Sequence, residues 1–167
     1  MEDDVDYVVG TFSKSLGAVG GFMASNYEEF AALRLVTRPY MFTASLPPSV
    51  VASVTQAINV MARRPDLRSA LWRNSRLLHA GLTSLSLVPA SAPGPIVALP
   101  MPGKEKAVLF WNCLLAEGLY ANLALAPATP GGVPLIRMSV TATLTIPQIE
   151  AALAAIRRAA RATGLPE

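Results

Sequence analysis

The sequence has little of the residues that form disulfides and metal sites. Its 167 residues include one cysteine, Cys113, and one histidine, His79. A lone cysteine forms no disulfide within the chain, and one cysteine with one histidine is too few for a zinc site. We therefore expect no bound metal. We predict that both side chains are packed, Cys113 beside Trp111 and Leu114.

Charged residues and long hydrophobic runs are also scarce. Charged residues make up 15% of the chain and hydrophobic residues 52%, which is more apolar than an average soluble domain. This predicts a core together with a buried partner surface, although the many alanines explain part of the excess. The longest stretches without a charge, 42–62 and 77–103, are broken by prolines or polar residues. We therefore predict no transmembrane helix.

The charges that are present exclude some locations and partners. The first residues, Met1-Glu2-Asp3-Asp4, are acidic, whereas a secretory signal begins with positive charge. We expect a cytoplasmic protein, with contact to a membrane surface left open. The net charge is +3, and the arginine clusters at 63–64 and 157–161 contain no aromatic residues. We expect no nucleic-acid binding, and attraction of anionic substrates stays open.

Hydrophobic periodicity and helix-end residues predict two strands and three helices, followed by the order strand, helix, strand, strand, helix. Thr145 and Gln148 have the spacing of a capping box and mark the start of the last helix. In the helix at 103–117 we predict an inner face formed by Val108, Trp111, Leu114 and Leu115. A composition shift near Met41 predicts a domain boundary. The predicted strands are 6–10, 21–25, 95–99, 119–123 and 133–140, and the first of them is predicted to be buried. The predicted helices are 26–36, 48–61, 67–85, 103–117 and 146–163. Asn26 is expected to cap the first helix, and residues 40–46 are expected to form an extended linker.

A lysine lies in a turn of small residues between the first two predicted strands. The segment is Thr11-Phe12-Ser13-Lys14-Ser15-Leu16-Gly17-Ala18-Val19-Gly20-Gly21. Its small residues leave room beside the ammonium for a flat ligand, and its hydroxyls and backbone N–H groups can donate to an anion. A lysine that acts as an amine nucleophile needs such surroundings. Most lysines in such turns are solvated loop charges, so residue types alone leave both interpretations open.

The order of residues in this turn resembles the cofactor-lysine segment of the α-oxoamine synthases. These are pyridoxal-phosphate enzymes that condense an amino acid with an acyl-CoA. The segments Arg38-Pro39-Tyr40-x-Phe42-Thr43-Ala44-Ser45-Leu46-Pro47-Pro48 and Pro127-Ala128-Thr129-Pro130 are most similar to the bacterial serine palmitoyltransferase branch. The resemblance extends from Asp4 to Gly164, and it covers only the C-terminal part of the family's pattern.

The resemblance implies a fold and a reaction. The expected fold is α/β, of the fold-type I aminotransferase-like class. Residues 1–40 would be the C-terminal end of the cofactor-binding large domain, and 41–167 the α+β small domain with a small, largely antiparallel sheet. The expected reaction is the decarboxylative condensation of an amino acid, L-serine, with an acyl-CoA to an aminoketone similar to 3-ketosphinganine. The alternatives are synthases of 8-amino-7-oxononanoate, 2-amino-3-ketobutyrate or aminolevulinate, and a catalytically incomplete fragment that serves as a structural or subunit-interaction module.

The resemblance also implies roles for residues near the cofactor. Lys14 would hold pyridoxal phosphate through its amine and, once freed, remove the α-proton of the substrate. Thr11 and Ser13 would donate to the cofactor phosphate; as plain turn hydroxyls they would have no such role. Thr43 and Ser45 would reach the phosphate of the neighbouring subunit, which implies a homodimer with shared sites. Their alternative role is to cap the helix that follows.

Two further residues would contact the substrate. Arg137, the one charge in its predicted strand, matches the family arginine that binds the substrate carboxylate, and a structural ion pair is its alternative role. Thr129 matches a mobile loop over the site and would contact the substrate, whereas a rigid turn is the alternative.

Parts of the family's cofactor site have no counterpart in this sequence. Missing are the residue that stacks on the ring, the aspartate that holds the pyridine nitrogen and the histidine near the phenolic oxygen, all upstream in the family. Asp3, Asp4 and Asp6 lie too near Lys14 in the chain to replace the aspartate, and His79 is a poor substitute for the histidine. Because the upstream part also supplies most of the large sheet, we expect an exposed strand edge here.

Overall fold

The computed structural model describes residues 4–166, so the acidic start at Met1–Asp3 and the last residue, Glu167, lie outside the described residues. The chain divides into two compact units, one ending at Arg64 and the other beginning at Pro65, and each is described by itself. The division of the family fold at 40/41 stays a prediction. Among the described residues no helix has the length and apolarity needed to cross a bilayer.

The first unit begins with a β-hairpin. Strands β1 (Val8–Thr11) and β2 (Gly21–Ala24) pair antiparallel, with Val8 opposite Ala24 and Thr11 opposite Gly21. Both strands were expected, but the prediction that the first is buried is wrong, since Val9 is 74% exposed. The hairpin forms a sheet of two strands, so within residues 4–166 no further strand pairs with it. The expected exposed edge is therefore present.

Helices of the first unit are shorter and more broken than predicted before residue 47. The predicted helix at 26–36 is a 3₁₀-helix, Glu28–Ala32, followed by α1, Leu33–Val36. Its N-cap is Tyr27 rather than Asn26, and no side chain caps it. The expected extended linker begins instead with a short helix, α2, Arg38–Met41, which starts with a proline in its first turn. The long helix α3, Pro48–Arg63, is present as predicted.

The second unit is an antiparallel sheet of three strands with helices packed on it. The central strand is β5, which pairs antiparallel with β3 on one side and β4 on the other. This small antiparallel sheet with its helices confirms the predicted fold class. The elements in chain order are α4 (Pro65–Ser84), β3 (Ile96–Pro100), α5 (Lys104–Ala116), β4 (Asn122–Ala124), β5 (Leu135–Ser139) and α6 (Ile146–Thr163).

The core of the second unit lies between one face of the sheet and the three helices. On β5, Ile136 and Met138 are buried while the residues between and beside them are not. They pack in one apolar cluster with side chains from every helix of the unit. Burying such side chains contributes roughly 1.5–3 kcal/mol each to stability. The largest fully buried members are Phe110, Leu82, Leu99, Leu114, Ile136 and Ile156.

The inner face of α5 differs from the prediction. Its buried residues are Ala107, Phe110 and Leu114, whereas Leu115 is 38% exposed. The helix is apolar on nearly all sides, so its sequence periodicity does not select one face. Cys113 is partly buried against the core, which confirms that it is a packed side chain.

A buried asparagine fastens α4 to the connection between β5 and α6. Asn74 is fully buried, and its Nδ2 donates to the carbonyl oxygens of Thr141 at 3.0 Å and Leu144 at 2.8 Å. The residue after Leu144, Thr145, begins the capping box with Gln148, as predicted. The carbonyl oxygens of Thr141 and Leu144 therefore both accept a hydrogen bond from the Asn74 side chain.

We predict that Asn74→Ala lowers the free energy of unfolding of the second unit by about 1–3 kcal/mol, because it leaves both carbonyl oxygens without their donor. Urea unfolding followed by tryptophan fluorescence measures this, since Trp72 and Trp111 both belong to that unit. Asn112→Ala, at an exposed position of α5, is the control. Equal midpoints for the two variants would show that the Asn74 hydrogen bonds do not stabilise the unit.

Candidate functional site

The turn that carries Lys14 is closed by three backbone hydrogen bonds. Phe12 donates to Gly20 at 2.9 Å, Ala18 donates to Phe12 at 2.9 Å, and Gly17 donates to Lys14 at 3.1 Å. Gly17 has φ +61°, a value that glycine adopts without strain. Lys14 is exposed on this turn. Its ammonium has no ion-pair partner among residues 4–166.

Two hydroxyls predicted to bind a phosphate lie together at the base of the turn. Thr11 Oγ1 and Ser13 Oγ are 2.9 Å apart, and the Ser13 N–H donates to Thr11 Oγ1 at 3.3 Å. Phe12 between them is buried and stacks on Phe22, with ring centroids 5.9 Å apart. This stacking holds the start of the turn on the hairpin while the two hydroxyls stay exposed.

The segment with Thr43 and Ser45 approaches this turn within the first unit. A Cβ built on Gly20 would lie 2.7 Å from Leu46 Cδ2, and Gly20 has φ +96°. The backbone conformation therefore favours glycine at this position, and the close approach shows that Leu46 packs against the turn. The helix-capping alternative for Thr43 and Ser45 is wrong, because the N-cap of α3 is Pro47 and no side chain caps it. Both hydroxyls are exposed.

Arg137 lies in the middle of the second unit's sheet. On β5 its Cα pairs with Ala98 of β3 and with Asn122 of β4. Its side chain is on the face opposite Ile136 and Met138, which are buried. No acidic side chain pairs with it in the described part of the chain. The structural ion pair weighed as the alternative role of Arg137 is therefore absent, and the guanidinium is free to bind an anion.

Thr129 is buried without a hydrogen bond for its hydroxyl. It lies just before the 3₁₀-helix Pro130–Gly132 and is 7% exposed. Within residues 4–166 its Oγ1 has no donor or acceptor partner. Leaving such a group unpaired costs about 1–3 kcal/mol, so it marks a place where a ligand atom can restore the bond.

Asp6 and His79, considered above as substitutes for the family's aspartate and histidine, are each hydrogen-bonded within their own unit. The Tyr27 hydroxyl donates to Asp6 Oδ1, and this bond raises the pKa of Tyr27 above its ordinary value. Tyr27 also contacts the ring of Tyr7, with centroids 5.6 Å apart. His79 on α4 is packed, and its Nε2 lies 2.9 Å from the carbonyl oxygen of Ser91. No group of three or more metal-ligating side chains occurs among the described residues.

The predicted site residues therefore fall into two groups. Thr11, Ser13, Lys14 and the 43–46 segment belong to the first unit, while Thr129 and Arg137 belong to the second. Sequence analysis did not single out Asn122, which faces Arg137 across the β4–β5 pair. A polar residue in a short strand is a weak signal, and it becomes informative only when the strand register is known.

We predict that Thr129→Val raises the free energy of unfolding of the chain by about 1 kcal/mol, because valine has the same shape without the unpaired hydroxyl. Thr163→Val is the matched control. Thr163 is also 7% exposed, but its hydroxyl donates to the Ala159 carbonyl at 2.8 Å, so its replacement should destabilise. Urea unfolding of both variants tests this. A loss of stability in Thr129→Val equal to that in Thr163→Val would contradict the unpaired state.

Comparison with known proteins gives consistent matches. The family model for aminotransferase class I and II matches residues 1–156. The chain is 49% identical over 167 residues to serine palmitoyltransferase of Caulobacter vibrioides, covering 100% of this chain and 41% of that protein. It is 46% identical over 167 residues to serine palmitoyltransferase of Sphingomonas paucimobilis, covering 99% and 40%. An 8-amino-7-oxononanoate synthase of Symbiobacterium thermophilum is 33% identical over 165 residues, covering 99% and 42%.

Solved structures agree with these matches. Serine palmitoyltransferase of Sphingomonas wittichii superposes with a TM-score of 0.94 at 47% identity, covering 99% of this chain and 42% of that one. A serine palmitoyltransferase structure that contains PLP has a TM-score of 0.93 at 46% identity, covering 96% and 41%. The chain thus spans about 41% of the length of the curated relatives that it matches.

Proposed function

Because the chain belongs to the aminotransferase class I and II family, we propose that it is part of a pyridoxal-phosphate-dependent acyltransferase of the α-oxoamine synthase type. The proposed reaction joins the α-carbon of L-serine to the acyl carbon of an acyl-CoA. The bond from the α-carbon to the carboxyl carbon breaks, and so does the thioester. The products are an aminoketone similar to 3-ketosphinganine, CO₂ and free CoA. The observation that supports this most is the closed turn that presents Lys14 beside two exposed hydroxyls.

The side chains of this turn fit the chemistry of pyridoxal phosphate. The Lys14 amine suits its aldehyde carbon. The hydroxyls of Thr11 and Ser13 suit its phosphate oxygens, because each can rotate its single O–H away from its present partner, the other hydroxyl or the Gly20 carbonyl, toward the phosphate. When bound, this cofactor supplies an electron sink for negative charge at the substrate α-carbon. The groups that hold the pyridine ring would come from the rest of the parent enzyme, because Asp6 and His79 are already hydrogen-bonded to other groups.

The proposed roles of the chain's own residues follow from their chemistry. Lys14 Nζ, as a free amine, accepts the proton from the α-carbon. Arg137 binds the amino-acid carboxylate through two parallel N–H donors. Thr129 Oγ1, buried and unpaired, donates to the substrate. Each of these roles needs a group that is not occupied by another residue, and all three are unoccupied in the described chain.

A homodimer with shared sites is part of the proposal. Thr43 and Ser45 would donate to the cofactor phosphate of the neighbouring subunit. Their hydroxyls are exposed, and the ring of Phe42 beside them is 76% exposed. Tyr40 and Met41 beside it are also more than half exposed. A contiguous exposed apolar patch marks an interaction surface, so a second subunit over this segment accounts for both features. We further propose that the enzyme acts in the cytoplasm.

Other members of the family are the main alternative within this enzyme class. The match to an 8-amino-7-oxononanoate synthase is weaker than the match to serine palmitoyltransferase, at 33% against 49% identity. This difference favours the serine-specific reaction.

The alternative of an inactive structural fragment is favoured by the exposed hairpin of the first unit, whose edges would need further strands of a larger sheet to pair with them.

We predict that the purified chain with added pyridoxal phosphate shows a visible absorbance band that survives desalting, shifts with L-serine and is lost in Lys14→Ala. Lys104→Ala, which removes an exposed lysine from the other unit, is the control and should keep the band. A band that persists in Lys14→Ala would refute the role of Lys14. No band in the folded wild-type chain would assign catalysis to the longer parent enzyme alone.

We predict that Thr11→Val combined with Ser13→Ala weakens the binding of pyridoxal phosphate at least about tenfold, because hydrogen bonds to a charged group are lost. Binding of pyridoxal, which lacks the phosphate, should not change. Fluorescence titration measures both ligands. The matched control is Ser53→Ala with Thr55→Val on α3, whose hydroxyls donate to backbone carbonyls. Equal losses for the two ligands would show that the hydroxyls do not bind the phosphate.

A further inference from the structure

The open face of the second unit's sheet presents two polar side chains opposite each other. Strand β5 buries Ile136 and Met138 on one face, so Arg137 lies on the other. Asn122 is the Cα partner of Arg137 in the β4–β5 pair. Side chains of directly opposed residues have Cβ atoms about 4.5–5.5 Å apart. The amide of Asn122 therefore lies within reach of whatever the guanidinium binds.

The hydrogen bonding of Asn122 leaves its donors available. Its Oδ1 accepts from the hydroxyl of Tyr120 at 3.3 Å. Its Nδ2 has no acceptor among residues 4–166. The guanidinium of Arg137 is likewise without an acidic partner in that range. The positively charged guanidinium and the neighbouring amide NH₂ together fit an acceptor with negative charge.

The other neighbour of Arg137 leaves space for a small ligand. Across β3 its Cα partner is Ala98, which has a single methyl group. Arg137 thus has a short side chain on one side and an amide donor on the other. A small group bound by the guanidinium is therefore within reach of the Asn122 amide, which can donate to it.

We propose that Asn122 is a substrate-binding residue that donates a hydrogen bond to the amino-acid carboxylate held by Arg137. This inference rests on the proposed function. The guanidinium takes both carboxylate oxygens through parallel N–H bonds, and Asn122 Nδ2 donates to one of them. The pair selects for a free carboxylate, because an amide in its place presents one acceptor oxygen and one NH₂ donor. The donor would face the donors of the protein.

The experiment follows the side-chain N–H signals of Arg137 and Asn122 by NMR in the 167-residue chain during titration with L-serine. L-Serinamide, which lacks the carboxylate, is the matched probe. We expect both signals to shift with L-serine and not with L-serinamide.

Asn122→Ala should weaken L-serine binding about tenfold, because one hydrogen bond to a charged group is lost. Asn122→Asp should abolish binding, because its carboxylate occupies Arg137. Asn112→Asp, the same charge change on α5, should leave binding unchanged.

The outcomes separate this inference from the proposed function. Loss of L-serine binding in Arg137→Ala together with wild-type affinity in Asn122→Ala would overturn the role of Asn122 and leave the carboxylate role of Arg137 intact. Unchanged binding in Arg137→Ala would overturn both roles. No carboxylate-dependent shift in the wild-type chain would also overturn both. The presence of the absorbance band and its loss in Lys14→Ala need no L-serine, so that part of the cofactor test is independent of all three results.

Discussion

The pairing of β5 with strands on both sides is the constraint on which the second unit depends. Because a strand directs successive side chains to opposite faces, the packing of Ile136 and Met138 also fixes where Arg137 lies. A shift of register by one residue would bury the guanidinium and expose the core residues. Apolar packing therefore keeps the Arg137 guanidinium on the open face, and no ion pair is needed to hold it there.

In the lysine turn of the first unit, too, a buried apolar residue fixes the position of its polar neighbours. Phe12 is buried and stacked on Phe22, while Thr11 and Ser13 on either side of it stay exposed. Backbone bonds across the turn then fix the loop that carries Lys14. In both units a buried apolar residue adjacent in sequence determines the direction of a polar one. The chemistry of each group is thus linked to packing that can be measured as stability.

Sequence reasoning succeeded where local signals are strong and failed where the outcome depends on distant contacts. The capping box at Thr145, the long helices and strands β3 and β5 follow from periodicity and end residues, whereas β4 begins three residues after the start of the strand predicted at 119–123. The burial of the first strand could not be predicted, because it depends on strands that would cover the hairpin. The inner face of α5 was misjudged because that helix is apolar on nearly all sides. The lysine turn was found through its residue order, whereas Asn122 became visible only through the register of β4 and β5.

The unpaired hydroxyl of Thr129 has a thermodynamic consequence for ligand binding. Its water shell is removed when the second unit folds, before any ligand arrives. A ligand that accepts or donates at Oγ1 therefore meets a group that is already dehydrated and held in place, and association does not include that penalty again. The folded protein is less stable by this amount and its affinity for a matching ligand is higher by a similar amount. Preorganisation of this kind makes stability and recognition opposing properties of the same side chain.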